Sequence, residues 1–192
     1  LMAMLSRFDV TPEMLLYRWS ELIPQFFGFK LHFLRFHQVG NAYRLIKQMN
    51  INRLLVPSGV GLAEHTCRRW LPLRLLREAP PRELPLIGAQ RSEMQGSADR
   101  FLNIGFARPL ILNPDTASAI SMGFTMDAHL EAEVAFCHDS AIADALVNET
   151  CERCPLTDLQ CLDRAAAPEV LQRERRAAAE RGALQERIDR QQ

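Results

Sequence analysis

Three extended segments in the middle of the chain constrain the fold more than any other feature. They read LPLIGAQRSEM (84–94), RFLNIGFARPLIL (100–112) and SAISMGFTM (118–126). The stretches QGSAD and NPDTA that separate them are rich in residues that favour turns. We therefore predict a three-stranded antiparallel meander over this part of the chain.

The residues before the meander predict a helix, a hairpin and a second helix. TPEMLLYRWSELIPQFF has Thr11 as N-cap, Pro12 at the first helical position and apolar residues at helical spacing. KLHFLRFHQ predicts a strand that turns at VGN, and AYRLIKQM is its expected partner, although that stretch also suits a helix. LAEHTCRRWLPLRLLREA (62–79) predicts a long helix across the sheet, kinked at Pro72.

The residues after the meander predict peripheral helices and a cysteine-rich cap. AHLEAEVAF (128–136) and AIADALVNE (141–149) are both expected to be short helices, and the charged segment 169–192 is expected to be a solvated helix or tail. Two strands, a crossing helix and a meander form the pattern of an α+β, GAF- or PAS-like antiparallel sensor sheet. We predict one domain over 26–168, preceded by a helical segment over 1–25.

Composition excludes several classes of function. Lys and Arg together number 23, as do Asp and Glu, so no overall basic excess indicates a nucleic-acid-binding surface. No apolar run approaches the roughly 20 residues that span a bilayer, and LMAMLSRFDV does not resemble an export signal. With no HExxH motif, Gly-rich phosphate loop or nucleophile elbow, we predict that the protein is not an enzyme. The 5 cysteines, three of them in one short segment, fit a reduced ligand cluster better than a disulfide framework, so we predict a cytoplasmic protein. Because it begins at Leu1, the chain is expected to be a piece of a longer protein.

Three cysteines in CERCPLTDLQC, at positions 151, 154 and 161, predict a metal or cluster site. A closed structural zinc site needs four ligands, and an iron–sulfur cubane usually has four. The candidates for the fourth ligand are Cys67, Cys137, His65 and His138. Thiolates bind both zinc and iron–sulfur clusters, so the residues alone leave the type of site open.

Four segments of the chain resemble one family of bacterial regulators. RFDVTPEMLLYRWSEL, FLRFHQVGN, EHTCRRWLPL and CERCPLTDLQCLDRAAAP are similar to the C-terminal half of the short-chain fatty acyl transcriptional regulators, XRE-type proteins related to the mycobacterial propionate and glyoxylate-pathway regulators. The resemblance implies an N-terminal helix-turn-helix that binds promoter DNA, a homodimer, and a C-terminal domain that senses short-chain acyl-CoA. It also implies that residues 1–25 end a metallopeptidase-like segment.

The same resemblance implies a four-iron, four-sulfur (4Fe-4S) cluster held by Cys67, Cys151, Cys154 and Cys161. The chain departs from the mycobacterial pattern in the longer Cys154–Cys161 spacing and in CRRW, where the relatives tend to have Cys-Pro-Leu-Trp. Zinc is therefore kept as an alternative to the cluster.

An acyl-CoA ligand requires cations for its phosphates and an apolar pocket for its acyl chain. Arg35 is the first candidate, because a cation in mid-strand among apolar neighbours is costly unless paired. The full set of candidate contacts is Phe33, Arg35, Tyr43, Arg44, Lys47, Arg53, Arg91 and Arg108. The leading prediction is an effector-binding domain of a regulator of propionate-type metabolism. The alternatives are a zinc-stapled dimerisation domain without a small-molecule ligand and a redox enzyme that uses Cys154.

Overall fold

A mixed six-stranded sheet forms the centre of the computed structural model, which describes residues 1–50, 52, 66–78, 86–113, 115–151, 154–157, 159–162, 164–165 and 169–189. Across the sheet the strands follow the order β2-β1-β5-β4-β3-β6. The strands are β1 (Leu31–Val39), β2 (Ala42–Asn50), β3 (Leu86–Met94), β4 (Arg100–Pro109), β5 (Thr116–Thr125) and β6 (Ala143–Val147).

The predicted meander is confirmed as β3, β4 and β5, which pair antiparallel with their chain neighbours. In the β3–β4 turn, Gly96 has a positive φ of 83°, which suits glycine. The Ser97 hydroxyl donates to the Asp99 carboxylate at 2.8 Å. This local turn chemistry fixes the register of the hairpin.

The hairpin before the crossing helix is also confirmed, and the segment that suited either strand or helix is strand β2. Val39 pairs with Ala42 across a two-residue turn at Gly40, whose φ is 56°. A bulge between Arg35 and Phe36 shifts the β1–β2 register. Strand β1 then pairs along its other edge with β5, which joins the hairpin to the meander.

The prediction of a short helix over 141–149 is wrong, because this segment contains strand β6, which pairs parallel with β3. The free edge of β3 supplies backbone hydrogen-bond partners, and the pairing buries Val147 completely. The sheet is therefore antiparallel over five strands and ends in a parallel edge strand.

The crossing helix α3 (Leu71–Glu78) is shorter than predicted within the described residues. Thr66 lies in an isolated bridge and Cys67–Trp70 form a turn, so the helix begins at Leu71. Residues 62–65 and 79 of the prediction lie outside the described part. Pro72 lies in the first turn, where no amide donor is required, and so it does not kink the helix.

Two glycines on the sheet allow α3 to lie close to the strands. A side-chain carbon at Gly105 would lie 2.9 Å from Leu71 Cδ2, and one at Gly88 would lie 3.0 Å from Leu75 Cδ2. The leucines of α3 pack there against Leu34 and other apolar strand residues. This packing covers one face of the sheet.

The opposite face of the sheet is the side of three helices, α1 (Met2–Phe8), α2 (Pro12–Phe27) and α4 (Ala128–Glu133). The predicted cap of α2 is confirmed, since the Thr11 hydroxyl accepts from the Met14 amide at 3.3 Å. Leu16 of α2 and Leu130 of α4 are buried in one apolar cluster with Phe33 and other strand residues. The predicted helix over 128–136 is α4 followed by a 3-10 helix, Ala135–His138.

Helix α5 (Glu169–Asp189) confirms the predicted helix in the charged C-terminal segment. Its described side chains are mostly exposed, including Leu184. None of the helices within the described ranges is both long and apolar enough to cross a membrane.

Replacing Gly123 by alanine is expected to lower the free energy of unfolding by about 3 kcal/mol. A side-chain carbon at this position would lie 2.3 Å from both Asn103 Oδ1 and His32 Cε1, inside the packed sheet–helix interface. Gly182→Ala is the matched control, because nothing lies within 4 Å of that position in α5, and it should change stability by less than about 1 kcal/mol. Urea unfolding of both variants measures the difference, and equal stabilities would contradict the packing described.

Candidate functional site

Two segments that are distant in sequence meet beside the sheet and position the candidate thiol site. Thr66 and Thr150 form an antiparallel bridge, and the Cys67 amide donates to the Glu149 carbonyl at 3.3 Å. The Trp70 indole N–H donates to the Asn148 carbonyl at 2.9 Å. These contacts hold the turn before α3 against the chain that follows β6.

The same contacts place the Cys67 and Cys151 thiols within hydrogen-bonding reach of each other. Both side chains are buried, at 2% and 4% exposure. The Ala165 amide also donates to Cys151 Sγ at 3.3 Å. A pair of thiols from two chain segments is thus enclosed by protein.

The contact between the two thiols shifts their pKa values in opposite directions. The hydrogen bond from Cys67 is the main cause that lowers the pKa of Cys151 to about 5, against the effect of burial; the Ala165 and Arg68 amides and the Arg68 guanidinium also lower it. The interaction with Cys151, together with burial, raises the pKa of Cys67. The hydrogen bond between the two sulfurs therefore favours a pair of one thiolate and one thiol.

Of the three fourth-ligand candidates that the structure describes, Cys67 is the one that contacts the cysteine-rich segment. Cys137 is fully buried in the apolar cluster under α2, away from the Cys67 cluster. His138 is largely exposed and lies 4.0 Å from the Glu131 carboxylate. His65 lies outside the described residues.

Cys154 and Cys161 complete the predicted ligand set, and their loop is tied by backbone contacts. Cys161 is buried and Cys154 half-buried. The Cys154 amide donates to the Cys151 carbonyl at 3.4 Å, and the Cys161 amide donates to the Thr157 carbonyl at 3.0 Å. Within the described part of the chain, no three His, Cys, Asp or Glu side chains come close enough to hold a metal ion. Thiolates suit zinc or an iron–sulfur cluster chemically, and the described residues place the Cys67 and Cys151 thiols in contact.

The predicted ligand contacts do not converge on one place. Phe33 is buried in the core, and Arg35 beside it donates to the Ser118 hydroxyl at 3.3 Å. Tyr43 packs against the apolar cluster under α3, with the Arg68 guanidinium 4.4 Å from its ring centroid. Arg44 is exposed on β2 and Arg53 lies outside the described residues. Lys47 lies over the Tyr17 ring and donates to its hydroxyl.

The other two arginines that were predicted to contact the ligand, Arg91 and Arg108, bind carboxylates and carbonyls of the protein itself. Arg91 donates from Nε to the Asp144 carboxylate at 2.7 Å and from its terminal nitrogens to the carbonyls of Cys137, Asp139 and Ile142. Arg108 makes a two-pronged contact with Glu13, at 2.9 and 2.8 Å. Arg91 therefore holds β6 against β3, and Arg108 holds α2 against β4.

A groove that the sequence reasoning missed lies over β3 and β4, between α2 and α4. Its volume is about 700 Å³, within the range of small-molecule sites. The lining is almost wholly apolar and aromatic. The lining includes Trp19, Phe27, Ala89, Ile104, Leu130 and Phe136. Small side chains on one strand and aromatic ones on two helices become a single site only through the tertiary fold.

A polar cluster under α3 was also missed. The Ser92 hydroxyl accepts from the side-chain amides of Gln90 and Asn103, both at 2.9 Å, and the His32 ring contacts Asn52 at 3.0 Å. Burial is the main cause that lowers the pKa of His32 to about 4, opposed by Asn103 and Asn52. His32 is therefore neutral at physiological pH, and the cluster joins β1, β3 and β4.

Compared with known proteins, the chain matches no family model, no curated protein and no solved structure.

The Glu13–Arg108 pair predicts a specific loss of stability in acid. Burial opposes ionisation of Glu13, but its contacts with Arg108, with its own backbone and with Thr11 outweigh burial, so the pKa of Glu13 lies below its ordinary 4.5. The pair therefore contributes fully at neutral pH, and the contribution disappears as pH falls through the lowered pKa. Glu13→Gln should destabilise the protein at pH 7 by about 1–3 kcal/mol and reduce the loss of stability in acid.

Glu21→Gln is the control, because its ion pair with Arg18 at 2.8 Å is exposed on both sides and should contribute little. Unfolding free energies measured between neutral and acidic pH compare the two variants. Equal behaviour of the two would show that the Glu13–Arg108 contact has no special role.

Proposed function

We propose that the chain is the effector-binding domain of a bacterial transcription regulator, in which the groove between α2 and α4 receives the acyl group of an acyl-CoA. The observation that carries the proposal is the groove itself. It is bounded below by the strands and on two sides by helices, and apart from Glu133 its described walls are aromatic and aliphatic. Such a site gains free energy from burying an apolar ligand but offers little to a sugar or a free ion.

The order of the helices and strands supports the proposal that the chain is a sensor domain. A hairpin, a crossing helix and a meander lie in the order expected for a GAF- or PAS-like domain, with helices on both faces of the sheet. In a sensor of this kind, ligand binding favours one of two arrangements of the domain. The proposed regulator acts in the cytoplasm as a homodimer and contacts promoter DNA through a separate helix-turn-helix.

The CoA phosphates require cations beyond the groove. Arg91 and Arg108 are held by carboxylates, so they are poor candidates for this role. Arg35 and Arg44 have no carboxylate partner within the described residues, and we assign the phosphate contacts to them.

The thiol pair supports a second part of the proposal, a metal or iron–sulfur site that ties the C-terminal segment to the turn before α3. Cys67 and Cys151 provide two ligands in contact, and Cys154 and Cys161 are close in sequence to the second of them. A zinc-stapled structural domain uses the same pair and needs no small-molecule ligand. The two versions differ in whether acyl-CoA binds.

Acyl-CoA is expected to raise the thermal unfolding midpoint of the chain, because a ligand that binds only the folded state stabilises it. Free CoA should have a smaller effect, since it leaves the groove empty. Differential scanning fluorimetry with acyl-CoA esters at near-millimolar concentration makes the comparison. No shift with any ester would refute the sensor and leave the zinc-stapled domain.

Anaerobic purification with zinc, iron and sulfide analysis tests the thiol site. We expect metal in the wild-type protein and at least a tenfold lower content in Cys67→Ser, because a missing ligand of a four-coordinate site opens it to exchange. Cys137→Ala should retain the metal, since Cys137 lies in the apolar cluster under α2. A metal-free wild-type protein, or full metal content in Cys67→Ser, would contradict the proposed ligand set.

A further inference from the structure

The groove is much larger than a short acyl chain requires. If each carbon takes roughly the 30 Å³ that a water molecule has in the liquid, a three-carbon acyl group fills about 100 Å³. The groove has a volume of about 700 Å³. A propionyl group would therefore leave most of the apolar walls in contact with water or with empty space, and both forgo stabilisation.

The lining also combines buried and exposed apolar side chains. At its base Leu102 and Leu130 are buried, at 1% exposure each. Toward the rim Phe27, Ile87 and Phe136 are 59%, 41% and 49% exposed. Large apolar side chains that stay exposed around a buried apolar base indicate a ligand that covers both.

The small side chain of Ala89 leaves part of the groove unfilled. Ala89 on β3 pairs with Ile104 on β4, and both side chains line the groove. At the neighbouring Gly88 the missing side chain would point to the other face, toward Leu71 and Leu75. Strand β3 is therefore covered closely by α3 on one face and left open beside Ala89 on the other.

We infer that the acyl group bound in this groove is a longer chain, of about six carbons or more, rather than the short chain that the resemblance implies. The inference rests on the proposed function and adds the class of ligand. Each added methylene that enters the groove should improve the affinity by about fourfold, the equivalent of burying one methylene. The affinity gain should stop when the chain reaches the end of the groove.

Isothermal titration of the 192-residue chain with free CoA, propionyl-CoA, hexanoyl-CoA and octanoyl-CoA tests the inference. The expected result is a stepwise increase, with octanoyl-CoA at least tenfold tighter than propionyl-CoA. In Ala89→Phe the new ring fills the space beside Ile104 and should abolish this chain-length dependence. Ile104→Trp is a second variant with the same expected effect, in case Ala89→Phe does not fold. Ala42→Leu, on the exposed start of edge strand β2, is the control and should behave as wild type.

Each other outcome has a distinct meaning. If propionyl-CoA binds as tightly as octanoyl-CoA or tighter, the inference is overturned and the sensor proposal stands. If the esters bind with chain-length dependence that both groove variants retain, the acyl site lies elsewhere and the inference is wrong. If no ester binds, the proposed function fails together with the inference. If, in addition, sedimentation shows that Ala89→Phe dissociates a dimer, the groove is an interface between two copies.

Discussion

The structure depends on a sheet that carries apolar clusters on both faces, because each cluster must be covered to keep it from water. On one face α3 lies close enough to seal the strands, since Gly88 and Gly105 remove the side chains that would hold it away. On the other face α2 packs over β1 and β5, while α4 and the 3-10 helix stand at the far side of β3 and β4. Helix α3 therefore covers the four strands β1, β5, β4 and β3 on one side. On the other side the helices leave a gap, which is the groove.

The thiol pair links this sheet to the C-terminal segment. The turn that carries Cys67 leads directly into α3, and the chain that carries Cys151 leads directly out of β6. A bond or metal at the pair would connect the helix that seals one face with the edge strand of the sheet. Because the hydrogen bond from Cys67 lowers the pKa of Cys151, the pair favours a thiolate, which is the form that binds a metal ion. This contact gives the cysteine-rich segment a structural role whether or not a ligand occupies the groove.

Much of the fold could be predicted because its signals are local. The turns around Gly40 and Gly96 and the cap at Thr11 act within a few residues, and the corresponding elements are confirmed. Strand β6 was missed because its helix-like composition is overridden by the free edge of β3. The contact of Cys67 with Cys151 agrees with what the resemblance implies, while the groove depends on how α2 and α4 are spaced over the sheet, which no local pattern encodes.

The account is tested most directly by the fluorescence of Trp19, which lines the groove, while Trp70, the other of the chain's 2 tryptophans, is buried beside the thiol pair. Titration with octanoyl-CoA should change the tryptophan emission saturably in the wild-type protein and leave the emission of Trp19→Phe unchanged. An identical change in both proteins, or calorimetric binding without any change in Trp19 emission, would show that the acyl group does not enter the groove.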